Sequence, residues 1–224
     1  MLENSEKICN ICGGNQFSDK PRTSRYGLPP TCIKCGSGER QRVIRKIYDK
    51  ISPEIFKQRK ALQFSNDNSV KREAFASFEV SMYGRDNSLD MMAIERPDES
   101  YDWIISNHVL EHIADDSLAV KELLRILKLQ GIIHINIPNP AYNLETRDWG
   151  YPDPKIYDHY RHYGSDFLLR MEPVLQNAYA LQVIDIDNVT ETIEMVYLIA
   201  KSFVPLRQIG LQLQKSRCVV IRGR

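Results

Sequence analysis

From residue 60 onward, short apolar runs alternate with stretches of helical periodicity, and no other feature narrows the fold as much. Apolar runs of strand length joined by helical crossovers build a doubly wound α/β sheet, because each parallel strand needs a long connection. The runs at 60–64, 78–83, 88–92, 101–106 and 131–137 read as five successive strands. Helices are expected over 69–75, over 117–127, and over 166–176 with Ser165 as its cap. Two late strands, 181–187 and 194–201, should pair with each other. In such sheets ligands sit outside the carboxyl ends of the strands, so function is sought in the loops that follow them.

The chain has 224 residues, 42% of them hydrophobic, enough for one generous domain with a small appendage and too apolar for wholesale disorder. No apolar run approaches the roughly 20 residues that a membrane span requires. The first ten residues show no apolar stretch of signal-peptide type, so a cytoplasmic protein is the expectation. The near balance of charge hides a polar distribution. Residues 1–60 carry 13 Lys and Arg against 6 Asp and Glu, whereas residues 61–224 carry 17 against 23. Four of the five cysteines also lie in the first 35 residues, which marks a small basic module ahead of a mildly acidic main domain.

Within that module, Cys9-x-x-Cys12 and Cys32-x-x-Cys35 stand 19 residues apart. Each short turn offers two thiolates from one side of an ion, the arrangement that tetrahedral zinc needs. Gly13, Gly14 and Gly36 allow the tight turns of such knuckles. Two disulfides would use the same cysteines, but a reducing compartment disfavours them. A four-thiolate site is closed to water, so this zinc would be structural. After the second pair, Val43, Ile44, Ile47, Tyr48 and Ile51 recur at helical spacing. The opposite face holds Arg40, Arg42, Arg45, Lys46 and Lys50, either a phosphate-binding surface or one docked on the acidic domain. Few aromatics interleave with these charges, so a nucleic-acid partner is possible without being favoured.

The stretch 98–115, with Asp98-Glu-Ser-Tyr-Asp-Trp-Ile-Ile-Ser-Asn-His-Val-Leu-Glu-His, and the following Glu122-Leu-Leu-Arg-Ile-Leu-Lys-Leu-Gln-Gly131 resemble the central block of class I S-adenosylmethionine (SAM)-dependent methyltransferases. The cysteine module and Asp158-His-Tyr-Arg-His-Tyr-Gly164 resemble one branch of that family, of methyltransferase type 11, with an N-terminal four-cysteine zinc ribbon and a degenerate glycine motif. The resemblance spans roughly residues 9–200 and implies a Rossmann-like seven-stranded methyltransferase sheet, SAM as cofactor and structural Zn2+ held by Cys9, Cys12, Cys32 and Cys35. It divides the chain into a ribbon over 1–40, a connecting basic helix over 41–58, the methyltransferase-like domain over 59–203 and a C-terminal extension over 204–224.

Carried over residue by residue, the resemblance places Asp90 at the adenine amino group, with Met91 and Met92 flanking the ring. Asn107 and His108 fall beside the methionine moiety and the reactive methyl, and Glu111 and His112 complete that loop. Two features depart from the pattern. The turn after the first strand, where Phe64, Ser65 and Asn66 would face the cofactor, contains no glycine. Met82 or Tyr83 occupies the place of the acid that holds the ribose.

Methyl transfer to a hydroxyl requires alignment and removal of one proton. His108, His159 and His162 are the candidate bases. Tyr157, Asp158, Arg161 and Tyr163 lie in a dense polar and aromatic cluster expected to form the substrate lid, with Arg161 suited to a phosphate or carboxylate. The leading reading is O-methylation of a small-molecule or saccharide-like acceptor. Its alternatives are a binding or scaffold module that has lost SAM, and an RNA or protein methyltransferase that uses the ribbon for recognition. Neither the acceptor nor the oligomeric state is specified by sequence. Nor is the role of Cys218, beyond a place in a late strand.

Overall fold

The computed structural model describes residues 7–138, 140–215 and 219–222. The N-terminal module pairs β1 (Phe17–Ser18) with β2 (Thr31–Cys32), antiparallel, and leads into helix α1 (Glu39–Tyr48). Strands β3 (Lys60–Phe64), β4 (Ser77–Ser81) and β5 (Tyr101–Asn107) precede helix α2 (Asp116–Ile126) and strand β6 (Leu127–Asn136). A hairpin of β7 (Arg147–Asp153) and β8 (His159–His162) follows, then two short helices, α3 (Phe167–Arg170) and α4 (Glu172–Leu175). Strands β9 (Tyr179–Ile186) and β10 (Ile193–Ala200), helix α5 (Phe203–Lys215) and strand β11 (Val219–Arg222) complete the order.

The central sheet is mixed, in the order β11-β9-β10-β6-β5-β3-β4. Strands β3 to β6 run parallel, while β10 is antiparallel to both β6 and β9. Six of its strands are those read from the sequence. The expected third strand, 88–92, is turn and irregular backbone, and the seventh position is filled from the tail by β11, on the opposite edge. Cys218 lies outside the described residues.

Period-two alternation sorts the strand side chains into two cores. On one face Ile104, Ile133, Ile135, Tyr197 and Ile199 pack with Leu123 and Ile126 of α2. On the other, Trp103, Ile105, Ile132, Val196 and Leu198 pack with Val43, Ile44 and Ile47 of α1 and Leu206, Ile209 and Leu213 of α5. Helix α1 therefore belongs to the main core rather than to a detached linker. Helix α5, unread in the sequence, carries its three buried leucine and isoleucine residues at spacings of three and four, the stripe of an amphipathic helix.

Three other expectations need correction. The helix expected over 69–75 is only a 3-10 turn, Arg72–Ala74. The helix expected over 166–176 breaks between α3 and α4, where Pro173 cannot continue the hydrogen-bond ladder. Ser165 does not cap it; its hydroxyl donates to the carbonyl of Leu144 (3.3 Å). Between α2 and the parallel part of β6, pairing with β5 jumps from Tyr101–Leu127 to Trp103–Ile132, a bulge. Gly131 ends it, since a Cβ there would stand 2.7 Å from a Leu127 methyl.

The basic face of α1 is docked. Arg42, almost fully buried, makes a bidentate pair with Asp187 (2.8 Å and 2.8 Å) and also donates to the carbonyls of Pro30 and Ser37. Lys46 and Lys50 reach Asp185 (2.7 Å and 2.6 Å). Arg45 donates to the carbonyls of Asn68 and Ser69, and Arg40 approaches Asp67 at 3.5 Å. The opposite charges of the two parts of the chain meet here.

Candidate functional site

The carboxyl ends of β3, β4 and β5 open into one cavity of about 720 Å³. Phe64, Ser65 and Asn66 come from the turn after β3, and Ser81, Met82 and Tyr83 from the end of β4. Leu89 and Met91 form one wall, His108, Val109, His112 and Ile113 another, and Pro152, Tyr157, Asp158 and Tyr160 of the hairpin close the top.

The turn after β3 replaces glycine by other means. Ser65 takes a left-handed backbone (φ +66°), the conformation glycine would favour. Gln63 donates from Nε2 to the carbonyls of Ser65 (2.8 Å) and Asp67 (3.3 Å). Asp67 accepts from the backbone and hydroxyl of Ser69 and, at 3.1 Å, from Asn107 Nδ2. Buried side chains thus pay the conformational cost that glycine would avoid. Among the described residues six non-glycine positions have positive φ, and four of them line the cavity: Ser65, His108, Tyr157 and Asp158. Strained backbone concentrates at functional sites, so this clustering marks the cavity independently of its size.

The residues expected at the cofactor divide accordingly. Phe64, Ser65, Asn66, Met91 and His108 line the cavity. Asn107 lies behind it, committed to Asp67 and Ser69 as a positioning residue. Asp90 is exposed on the rim and accepts from the backbone of Met92 (2.8 Å), and neither residue lines the cavity.

Among the candidate bases, His108 faces the cavity, and burial first, then Arg40 and Arg22, holds its pKa well below 6.5. His159 packs edge-on against His112 (ring centroids 4.6 Å apart), and burial with the neighbouring histidines lowers it to about 4. His162 is exposed and packs edge-on against Trp149, outside the cavity lining.

Arg161 and Tyr163 require the clearest correction. Arg161 is buried, and its guanidinium donates to the carbonyls of Leu110 (3.1 Å), Ile113 (2.6 Å) and Ala114 (2.7 Å) and to Asp148 (2.7 Å). It clamps the hairpin to the loop after β5: four of its five N–H donors are taken up in this way, and the buried guanidinium does not line the cavity. Tyr163, also buried, donates to Asp116 (2.8 Å). Tyr157 and Asp158 do reach the cavity, with Tyr157 largely exposed.

Two acids, Glu111 of the loop already named and Glu194, are buried, which the sequence did not reveal. Glu111 is 1% exposed, and burial pushes its carboxyl up to about 8. Glu194 on β10 is pushed up to about 7 by burial, with Asn136 Nδ2 at 3.5 Å. No periodicity in the sequence separates a buried acid from a solvated one, so only tertiary packing identified them.

In the N-terminal module the four sulfurs of Cys9, Cys12, Cys32 and Cys35 lie within 4.8 Å of one another and form no disulfide. Cys9 and Cys35 are 3.7 Å apart, and Cys12 and Cys32 3.5 Å. Four thiolates at about 2.3 Å from one zinc ion would be separated by about 3.8 Å, so the preorganised spacing fits that ion. Gly13 and Gly36, both at φ +72°, close the two knuckles by donating to the carbonyls of Cys9 and Cys32.

Residues 35–135, a little under half of the chain, match the family model described as a methyltransferase domain. No curated protein matches the chain. Solved structures with a similar chain path include a SAM-dependent methyltransferase of Thermotoga maritima, described as a possible histamine N-methyltransferase, at 12% identity and TM-score 0.42, covering 72% of this chain and 92% of that one. A SAM-dependent methyltransferase of Aquifex aeolicus shows 15% identity and TM-score 0.42, covering 71% and 97%. The trans-methyltransferase CalH, in complex with S-adenosylhomocysteine (SAH), shows 10% identity and TM-score 0.43, covering 72% and 55%.

Proposed function

We propose that the chain is a SAM-dependent methyltransferase that transfers a methyl group to an oxygen of a small-molecule, saccharide-like acceptor. The observation that carries this reading is the cavity at the carboxyl ends of β3, β4 and β5, within and beside the stretch that matches the methyltransferase domain. Its apolar walls, Phe64, Leu89, Met91, Val109 and Ile113, suit a flat purine, and His108 and Asp158 supply polar groups next to them. Ser65 gives the close backbone approach that the glycine motif would supply elsewhere. With no acid at the end of β4, the ribose hydroxyls would be held by Ser81 and the backbone of Met82 and Tyr83, which line the cavity there.

SAM, when bound, supplies an activated methyl group on a sulfonium. The protein holds that carbon in line with an acceptor oxygen and removes the proton that oxygen sheds. His108 and His159 are the groups we assign to this role. Both stay neutral at physiological pH, so each has a lone pair free to take the proton. His162 drops out because it stands against Trp149 on the exposed side of the hairpin. We assign structural zinc to the four cysteines.

Calorimetric titration with SAH tests the cofactor assignment. Wild-type protein should bind, and Leu89→Arg, which places a charged side chain in the apolar wall, should weaken binding at least about tenfold, the equivalent of about 1.4 kcal/mol. Absence of binding to the wild type, or equal affinity in the variant, would leave a scaffold or binding module as the better reading.

A further inference from the structure

One group of side chains beside the cavity, His159 among them, can do more than this reading asks of it; an ion bound there would occupy the lone pair of His159 and leave proton removal to His108. Glu111, His112 and His159 each turn a ligand-type atom toward a common point, and these atoms lie within 4.8 Å of one another. Glu111 and His112 come from the 3-10 turn Leu110–His112 after β5, and His159 opens β8, so two separate elements converge. The Arg161 clamp fixes their relative position, since it ties the hairpin to the carbonyls of Leu110, Ile113 and Ala114.

Two buried atoms in this group lack a hydrogen-bond partner among the described residues: Glu111 Oε2 and His159 Nδ1. Unsatisfied buried polar atoms are costly, so each requires a reason. His112 is held on one side by the backbone of Tyr157 and Asp158, the kind of support that fixes which ring nitrogen of a ligating histidine is free. Among the described residues Glu111 makes no salt bridge with a lysine or arginine, though Arg40 and Arg161 act on it at longer range; His108 Nδ1 stands 3.9 Å from its Oε1.

We propose that Glu111, His112 and His159 form a binding site for a divalent first-row transition-metal ion at the edge of the cavity. Two imidazoles and one carboxylate are a ligand set that such ions use with coordination positions left open. Around an ion at about 2.0–2.2 Å the three ligand atoms would stand about 3–3.5 Å apart, a closure that side-chain rotation supplies. His112 itself lines the cavity together with His108, Tyr157 and Asp158, so an ion held there would be within reach of an acceptor in the cavity. This site differs from the cysteine cluster in its ligands and its openness: the cluster offers four thiolates, the cavity site none.

Metal binding stands apart from the methyl-transfer reading; only the ion's role in holding the acceptor rests on it. The test uses full-length protein with its cysteine cluster filled by zinc, titrated with Co2+. A further equivalent of Co2+ should bind and give weak visible d–d absorption without the intense near-ultraviolet bands of thiolate coordination. His112→Ala and His159→Ala, both at partly exposed positions, should each weaken it by on the order of 100-fold, at or beyond the loss typical of a supporting partner. X-ray absorption at the cobalt edge of the wild type should show imidazole and oxygen scattering without sulfur, a readout independent of how the variants fold. No binding beyond the cysteine site, sulfur scattering, or folded variants that bind with unchanged affinity would overturn the assignment. SAH titration of the same samples separates this outcome from failure of the methyltransferase reading.

Discussion

Single buried polar residues carry much of the specificity of this fold. Trp103 Nε1 donates to the hydroxyl of Tyr48 (2.8 Å), which is also hydrogen-bonded to His134 Nδ1 (2.9 Å). These bonds tie α1 to the centre of the sheet. Burial lowers His134 to about 3, so it stays neutral across the physiological range. Glu194 shows the opposite sign. Its carboxyl, near 4.5 in an unfolded chain, is raised to about 7 by burial, so between those values the folded state binds more protons than the unfolded one. Its contribution to stability is complete below about pH 4.5 and lost as pH rises through 7. Replacing Glu194 by Gln should remove that decline, so chemical denaturation from pH 5 to 8 should give a flatter profile for the variant than for the wild type. A parallel pair of profiles would show that Glu194 does not titrate in this window.

At the scale of elements, α1 is the piece whose placement decides most. Its apolar stripe, Val43, Ile44 and Ile47, is legible from spacing, and those residues are fully buried. Its basic face reads equally well as a surface for phosphates or for the main domain, because spacing places charges without naming what they meet. The acids that settle it, Asp185 and Asp187, lie about 140 positions later, at the end of β9 and beyond. Asp187 also accepts from the backbone and hydroxyl of Thr190 (2.9 Å each), so the pair is embedded in a hydrogen-bonded turn. Removing one partner of a buried ion pair strands the other. Arg42→Met should therefore destabilise the protein by about 3–5 kcal/mol in urea denaturation. The double variant with Asp187→Asn should recover part of that loss. An Arg42→Met change below about 1 kcal/mol, the range of exposed pairs, would contradict the buried geometry.

Across the whole molecule, the near-neutral charge is the sum of a basic module and an acidic domain that face each other. The ribbon is coupled to the sheet through Arg42, whose guanidinium also holds the carbonyls of Pro30 and Ser37 beside the second cysteine pair. Metal at the cysteines should thus stabilise more than the ribbon, because binding to the folded state shifts the unfolding equilibrium of every part coupled to it. Removing zinc with a strong chelator should lower the melting temperature of the main calorimetric transition. A separate small transition, with the main one unmoved, would show that the ribbon folds on its own account.

The sequence by itself determined the alternation of strands and helices, the two cysteine pairs, the apolar stripe of α1 and the strong helix α2. Each depends on the period of side-chain direction or on the reach of a short turn, and both are local. It also placed six strands of the sheet and, through the family resemblance and the polar cluster after β6, seven residues of the cavity lining: Phe64, Ser65, Asn66, Met91, His108, Tyr157 and Asp158. The tertiary structure decided the rest. Arg161 reads in sequence as a ligand for anions, and only the convergence of three carbonyls from the loop after β5 makes it a clamp. Segment 88–92 reads as a strand, yet no neighbouring edge pairs with it, and the last edge is closed by the tail instead. The meeting of Glu111, His112 and His159 depends on the fold of the hairpin over the sheet. Contacts between residues tens of positions apart are set by packing and burial, which no local period encodes.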